Sequence, residues 1–180
     1  DSSDPQELTV YDGILYFRAN GVEGRFDQEL WKFDGATASQ VADIRAGSSG
    51  SNPSDFTVFN DVLYFAAEDD AHGEELWTYD GVNPPSLVAD LNPGADTGVD
   101  DANANILTVY NGALYFEGND GVNGQEVWNY DGTTLSRVTD INPGSDNSDI
   151  KDMIVFQGAI YFHADNGTDG DEMWAYNADG

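Results

Sequence analysis

One pattern occurs four times along the chain, and this internal repetition limits the fold more than any other feature of the sequence. Its anchors are the four tryptophans, which are separated by 46, 51 and 46 residues and lie in ELWKFDG, ELWTYDG, EVWNYDG and EMWAYNADG. The tyrosine of an aromatic pair precedes each tryptophan by 13 or 15 residues, within ILYF, VLYF, ALYF and AIYF. We therefore expect residues 1–180 to form a single repeat domain, with repeats at about 1–47, 48–94, 95–144 and 145–180.

Each repeat has the pattern of several short β-strands. The segments LTVY, FTVF, LTVY and MIVF precede the aromatic segments and are joined to them by DG, ND, NG and QG. Two-residue links of this kind favour tight hairpins, because type I′ turns need positive φ angles. In the first three repeats the tryptophan segment is followed by QVADI, LVADL or RVTDI, which we predict to be a fourth strand. No long stretch has the helical period, so almost no helix is expected.

Four strands in about 46 to 51 residues, with one large aromatic per unit, are typical of a propeller blade. The sequence therefore predicts an all-β fold, a β-propeller or propeller-like array of four four-stranded repeats in which the last repeat lacks its fourth strand. Proteins usually pair or cover an open strand edge. We therefore expect the open edge strands to pair with neighbouring repeats or with other copies of the chain.

The tryptophan motif, with the LYF segment before it and the VADINPG-like turn after it, resembles the ELWxxDGT repeat of large secreted or surface-attached bacterial proteins. Its Glu, Trp and Asp fall in the first three copies on Glu29, Trp31 and Asp34, on Glu75, Trp77 and Asp80, and on Glu126, Trp128 and Asp131. The fourth copy departs from the motif, with Met173 for Leu and Asn177-Ala178 for Asp-Gly. A weaker similarity to kelch repeats lacks their glycine pair. The first resemblance implies an extracellular propeller-like scaffold without naming a ligand or a reaction.

The charge balance excludes two classes of partner. The chain has 34 acidic and 6 basic residues and a net charge of −28, and residues 46–136 contain 16 carboxylates and no Lys or Arg. Nucleic acids and anionic membranes are both bound through clustered basic residues. No apolar run approaches the ~20 residues that cross a bilayer, so we expect no nucleic acid partner and no membrane insertion. A halophilic surface and dedicated cation binding both explain the acidity, and both agree with an extracellular or cell-surface location.

Acids and glycines concentrate in the loop between the aromatic segment and the tryptophan segment. Closely spaced Asp, Asn and Glu oxygens, with Gly allowing the backbone to curl, are what Ca²⁺ coordination requires. The sequence predicts calcium ligands in three of these loops, namely Asp69 and Asp70, then Asn119, Asp120 and Asn123, then Asp165, Asp169 and Asp171. The alternative is a polar hairpin loop whose side chains bond their own backbone.

A glutamate recurs two residues before each tryptophan, at Glu29, Glu75, Glu126 and Glu172. These carboxylates could line a central channel or complete the loop sites. We favour a third role, in which each carboxylate accepts hydrogen bonds from backbone N–H groups of its own loop.

The residue inventory offers little for catalysis. There is no cysteine, and His72 and His163 fall at non-equivalent points of the repeat, which excludes a histidine-based triad or a three-histidine zinc site within one chain. A glycosidase carboxylate pair cannot be singled out among 34 acids. We therefore expect no enzymatic activity. Recurring strand aromatics favour a blade core over a sugar-binding platform.

The leading functional interpretation is a non-catalytic extracellular structural or adhesive repeat module of a surface protein or filament, stabilised by cations such as Ca²⁺. The alternative is a secreted, lectin-like propeller that binds glycans or another surface ligand. Solvent exposure of the tryptophans would distinguish the two.

Overall fold

A computed structural model describes residues 3–21, 27–94, 98–99 and 107–178, which form four antiparallel sheets. Blade 1 contains β1 (Gln6–Tyr11), β2 (Ile14–Asn20), β3 (Gln28–Phe33) and β4 (Ala38–Gln40), and blade 2 contains β5 (Ser54–Phe59), β6 (Val62–Asp69), β7 (Gly73–Tyr79) and β8 (Ser86–Leu87). Blade 3 contains β9 (Thr108–Tyr110), β10 (Ala113–Asn119), β11 (Gln125–Tyr130) and β12 (Leu135–Arg137), and blade 4 contains β13 (Lys151–Phe156), β14 (Ala159–Asp165) and β15 (Asp171–Tyr176). The predicted all-β fold of four repeats, the last with three strands, is confirmed.

The hairpins between the first two strands of every blade have the predicted geometry. Both central residues of each turn have positive φ, as a type I′ turn requires: Asp12 (47°) and Gly13 (76°), Asn60 (50°) and Asp61 (59°), Asn111 (46°) and Gly112 (77°), and Gln157 (48°) and Gly158 (81°). Strand register therefore follows directly from these short sequence links.

The fourth strands differ from the prediction. They are β4, β8 and β12. Each ends at the first residue of the apolar segment that was predicted to be the strand, at 40–44, 87–91 or 137–141. Pairing extends one hydrogen bond further, from Val41 N to Leu30 O at 2.8 Å, and Ile44 N then donates to the buried Glu29 carboxylate at 3.0 Å. The prediction of a VADI strand was wrong in position because hydrogen bonds to a buried carboxylate draw this segment out of the sheet.

Successive blades pack face to face in chain order. We call the face that contacts the following blade the leading face, and the face that contacts the preceding blade the trailing face. Between blades 1 and 2, leading-face residues Tyr11, Tyr16 and Leu30 meet trailing-face residues Phe56, Leu63 and Phe65. Equivalent clusters join blade 2 to blade 3 and blade 3 to blade 4. In the described part of the chain, no such apolar cluster joins blade 4 to blade 1.

Burial on both faces of the inner blades explains the composition of the aromatic strands. In β10 six of seven residues are buried, and in β6 five of eight. Polar groups are costly to bury in these interfaces, so the buried residues of both strands are almost all apolar, and Glu117 in β10 is the charged exception. None of the described residues forms a helix with the length and apolarity needed to cross a membrane.

Candidate functional site

The acidic loop of blade 2 is closed by its own side chains. The Asp69 carboxylate accepts hydrogen bonds from Ala71 N and His72 N at 2.9 and 2.7 Å, and it lies 2.9 Å from His72 Nδ1. Burial by itself would raise the pKa of Asp69, but these hydrogen bonds outweigh it and hold that pKa below its usual value. The hydrogen bond to Asp69 in turn raises the pKa of His72. Asp70 is directed elsewhere, since it accepts a 2.7 Å hydrogen bond from Arg45 Nε.

The acidic loop of blade 3 has the same kind of local closure. Asp120 accepts hydrogen bonds from Val122 N and Asn123 N at 3.0 and 2.8 Å, and from Asn123 Nδ2 at 2.6 Å. Asn119 Oδ1 accepts a bond from Gly121 N at 2.8 Å. These contacts are Asx turns, in which a short polar side chain replaces a backbone turn partner.

The acidic loop of blade 4 is the most exposed of the three. Asp165 accepts a 2.7 Å bond from Gly167 N, and Asn166 Nδ2 donates to Asp169 at 3.0 Å. Asp171 begins β15 and lies 3.5 Å from Lys151 Nζ. The eight predicted calcium ligands thus lie in three separate hairpins, at the strand ends and in the loops between them. Among the described residues, no group of three His, Cys, Asp or Glu side chains is arranged to hold a metal ion. Calcium binding stays a prediction.

The recurring glutamate of the tryptophan motif anchors a distant turn in blade 3. The buried Glu126 carboxylate accepts bonds from Ile141 N at 3.0 Å, Asn142 N at 3.1 Å, Thr139 Oγ1 at 2.7 Å and Ser148 Oγ at 2.6 Å. These donors lie 13 to 22 residues further along the chain, after the fourth strand. The structural role expected for this glutamate is present, but its partners are not in its own loop.

Blade 1 repeats this anchor. Glu29 accepts hydrogen bonds from Ile44 N and Ser51 N, each at 3.0 Å, and from Ser51 Oγ at 2.5 Å. Burial raises the pKa of Glu29, although the hydrogen bonds oppose the shift. The sequence contained a signal for this contact, because a VADI-like segment follows each of the motif glutamates Glu29, Glu75 and Glu126 at a similar distance.

Blade 2 lacks one donor of the anchor. Its backbone bond from Asn119 N to Gly98 O matches the bond from Asp165 N to Ser148 O, so Gly98 occupies the position of the serine. Glu75 accepts a 3.2 Å bond from Asn92 N, and within the described residues its Oε2 has no hydrogen-bond partner. Burial raises the pKa of Glu75 to about 7. A Cβ on Gly98 would lie 2.2 Å from Glu75 Oε1, so glycine permits a closer backbone approach.

The terminal blades expose the faces that are buried inside the array. On the leading face of blade 4, Ile154, Phe156 and Met173 are 63%, 57% and 73% exposed. Their counterparts in blade 2 are Thr57, Phe59 and Leu76, and Leu76 is 2% exposed. Glu172, the counterpart of Glu126, is exposed as well.

The trailing face of blade 1 contains an open apolar groove of about 390 Å³, lined by residues that include Leu8, Leu15, Phe17, Trp31 and Phe33. Leu8 is 61% exposed and Phe33 is 37% exposed, while Phe17 and Trp31 are half-buried. The four motif tryptophans are all half-buried.

No family model and no curated protein matches the chain. Solved structures match its fold. The β-propeller domain of the trilobed protease from Pyrococcus furiosus, which has an open velcro topology, matches 99% of this chain and 53% of its own, at 9% identity and a TM-score of 0.63. The computationally designed Ika8 protein matches 96% of this chain and 46% of its own, at 14% identity and a TM-score of 0.50. The chain spans about half the length of these two proteins, and the likeness establishes a propeller fold.

Glycoside hydrolases are also among the matching structures. An α-L-arabinofuranosidase from Clostridium thermocellum matches 96% of this chain and 67% of its own, at 17% identity and a TM-score of 0.44. A glycosyl hydrolase from Bacteroides ovatus matches 100% and 68%, at 12% identity and a TM-score of 0.48. These matches contradict the expectation that the chain is not an enzyme, because glycoside hydrolysis is carried by carboxylates and needs neither Cys nor His. At these identities the likeness concerns the fold alone.

Proposed function

We propose that the chain is a propeller module that serves as a structural and adhesive element of an extracellular surface protein or filament. The observation that carries this proposal is the exposure, on blades 1 and 4, of the two faces that join neighbouring blades inside the array. A module with one such face at each end is suited to side-by-side assembly. The ELWxxDGT-like motif and the charge of −28 support a place outside the cell.

Labelling of cells that produce the protein tests its location. An antibody against the chain should label intact, non-permeabilised cells, and external protease should remove that label. Labelling confined to permeabilised cells would overturn the extracellular assignment.

Replacement of a terminal-face residue in the producing cell tests the structural role. The Met173→Glu variant should reduce cell attachment or the amount of surface filament, because it places a charge on the exposed apolar face of blade 4. Val82→Glu is the matched control, since Val82 is an exposed apolar residue in the turn between β7 and β8. Equal attachment and filament content in wild-type and both variant cells would contradict the proposal.

Cation binding forms part of the proposal. Carboxylate and amide oxygens crowd the blade 4 loop at Asp165, Asn166 and Asp169, and a bound cation would reduce the repulsion among them. A ligand that binds only the folded state raises stability in proportion to the logarithm of its concentration. The melting temperature, followed by Trp fluorescence at fixed high ionic strength, should rise with Ca²⁺ and fall with chelator. An unchanged melting temperature would remove calcium from the proposal.

Glycan binding is the second candidate function. It is favoured by the blade 1 groove, in which Phe17, Trp31 and Phe33 offer aromatic surface to solvent. Sugar rings stack on such surfaces through their apolar faces. A glycan array should then show binding that Phe33→Ala weakens several-fold and Phe156→Ala leaves unchanged. An array without any bound glycan would eliminate this candidate.

A further inference from the structure

The leading faces of blades 1 to 3 make the same polar contact with the next blade. The hydroxyl of a threonine in the first strand donates to a carbonyl of the following blade, from Thr9 to Phe56 O at 3.4 Å, from Thr57 to Leu107 O at 3.1 Å and from Thr108 to Met153 O at 3.2 Å. Tyr11 and Tyr110 add bonds to Asp61 O and Gly158 O at 2.8 and 2.6 Å. The three internal interfaces therefore share one arrangement, an apolar centre with hydrogen bonds at its edge.

Blade 4 carries an apolar version of the same leading face. Ile154 stands at the threonine position, Phe156 at the position of Tyr11, and Met173 at the position of Leu30. All three side chains are more than half exposed. The repeated fold places them where the internal interfaces have their contacts, and no other blade in the described part of the chain packs on this face.

Blade 1 carries the other half of this interface. Its trailing-face residues Leu8, Leu15 and Phe17 stand at the positions of Phe56, Leu63 and Phe65, which are buried against blade 1 in the first internal interface. The groove of about 390 Å³ lies over these residues. A leading face that packed in this groove would form the same kind of interface that already joins blades 1 and 2, blades 2 and 3, and blades 3 and 4.

We propose that two copies of the chain form one closed ring, in which the leading face of blade 4 of each copy packs on the trailing face of blade 1 of the other. This deepens the proposed function by naming the assembly partner, and it rests on that function. The number of blades supports two copies, because propellers typically have four to eight blades and two copies of four sheets supply eight. Two identical head-to-tail contacts that close leave no face exposed.

Electrostatic repulsion opposes this association. Each copy carries a net charge of −28, and the repulsion between copies is screened only when the Debye length is short, about 3 Å at 1 M salt against 10 Å at 0.1 M. We therefore expect the ring to form at high ionic strength and to dissociate as salt is removed. A contact held together by opposite charges would instead weaken as salt is added.

Sedimentation velocity over a concentration series at high ionic strength tests the proposal. The wild-type chain should reach a single species of twice the monomer mass and grow no further. Leu8→Asp and Met173→Glu should each remain monomeric, whereas Val82→Glu, in a turn outside both faces, should associate as wild type does. All three positions are more than 60% exposed, so the variants should fold, which Trp fluorescence checks. A wild-type monomer at every concentration, or growth beyond two copies, would overturn the ring.

A mixture of the two face variants tests the head-to-tail geometry. Leu8→Asp retains an intact blade 4, and Met173→Glu retains an intact blade 1, so the mixture should form a dimer through one contact although neither variant associates alone. If Leu8→Asp dimerises by itself, blade 4 packs on blade 4 and the proposal is wrong. If the mixture stays monomeric, the two faces do not bind each other.

Failure of the ring and failure of the proposed function give different combinations of results. Surface labelling of intact cells together with a monomeric wild-type chain would overturn the second copy as partner and keep the extracellular role. A ring in solution together with purely intracellular labelling would overturn the extracellular role and keep the ring.

Discussion

Blades 3 and 4 carry similar strand sequences, yet equivalent residues lie in opposite environments. In blade 3 the motif residues Glu126 and Val127 are fully buried, whereas in blade 4 Glu172 is exposed and Met173 is 73% exposed. The difference comes from the segments that cover each tryptophan strand. Blade 3 is covered by the turn that contains Ser148 and by the next blade, and the described part of the chain places neither over blade 4. The motif therefore acquires its structural role only through its neighbours.

The largest expected effect compares two phenylalanines. Phe116 is fully buried between blades 2 and 3, and Phe156 is 57% exposed on blade 4. Phe116→Ala should lower the free energy of unfolding by about 3–5 kcal/mol, since it removes apolar contacts and leaves a cavity. Phe156→Ala should cost less than about 1 kcal/mol when the protein is dilute enough to be monomeric. Denaturant unfolding measures both free energies. Equal losses in the two variants would show that Phe156 is as well packed as Phe116 and would contradict the difference between the blades.

The second effect compares the glutamates. Glu126→Ala should lower the free energy of unfolding by about 3 kcal/mol, because two backbone N–H groups and two hydroxyls lose their acceptor. The matched Glu172→Ala variant should change stability by less than about 0.5 kcal/mol. Both values come from denaturant unfolding of the dilute monomer. If Glu172→Ala is equally destabilising, blade 4 has a covered anchor in solution.

The third effect is a pH dependence that belongs to Glu75. Its pKa is about 7 in the folded protein against 4.5 in the unfolded chain, so the folded state keeps a proton that the unfolded state releases between these values. Stability should therefore fall by about 2 kcal/mol from pH 5 to pH 7, at about 1.4 kcal/mol per unit, and level off above pH 7.

Glu75→Gln provides the control for this titration. General repulsion among the 34 carboxylates also changes with pH, so wild type and variant are compared at the same high ionic strength. The difference between their unfolding free energies should vary over pH 5–7 and stay constant above it. A constant difference throughout would show that Glu75 titrates normally.

The smallest effect concerns the interface hydroxyls. Thr108→Val should cost about 1 kcal/mol, because the bond to Met153 O is lost with little change in shape. Ile154→Thr, at the same position of blade 4, should leave monomer stability almost unchanged, since Ile154 is 63% exposed. Thermal unfolding resolves both changes, and a stabilised Ile154→Thr monomer would indicate that this face already has a partner within the chain.

Local features were predictable from the sequence. The turns at Asp12-Gly13 and Asn111-Gly112 need positive φ at both positions, and short links impose the register of the strands they join. The Asx turns of the acidic loops are local as well, since Asp69 and Asp120 accept hydrogen bonds from backbone N–H groups within three residues of chain. Such contacts depend on residues that are close in sequence.

Long-range contacts were not predictable in the same way. The donors to Glu126 come from up to 22 residues away, and the VADI segment was predicted as a strand because its apolar pattern does not reveal a buried carboxylate beside it. The absence of enzymatic activity was a wrong prediction for a related reason. A residue inventory counts side chains, while a carboxylate site is defined by the distances between them.

The sequence by itself determined the number of repeats, the strand pattern and the turn geometry, because these depend on spacing, alternation and the φ preferences of a few residues. Only the tertiary structure decided which copies of the motif are buried. Similar strands pack on both sides in the middle of the array and on one side at its ends, and burial depends on that neighbour rather than on the strand. The exposed faces of blades 1 and 4 arise from this position effect.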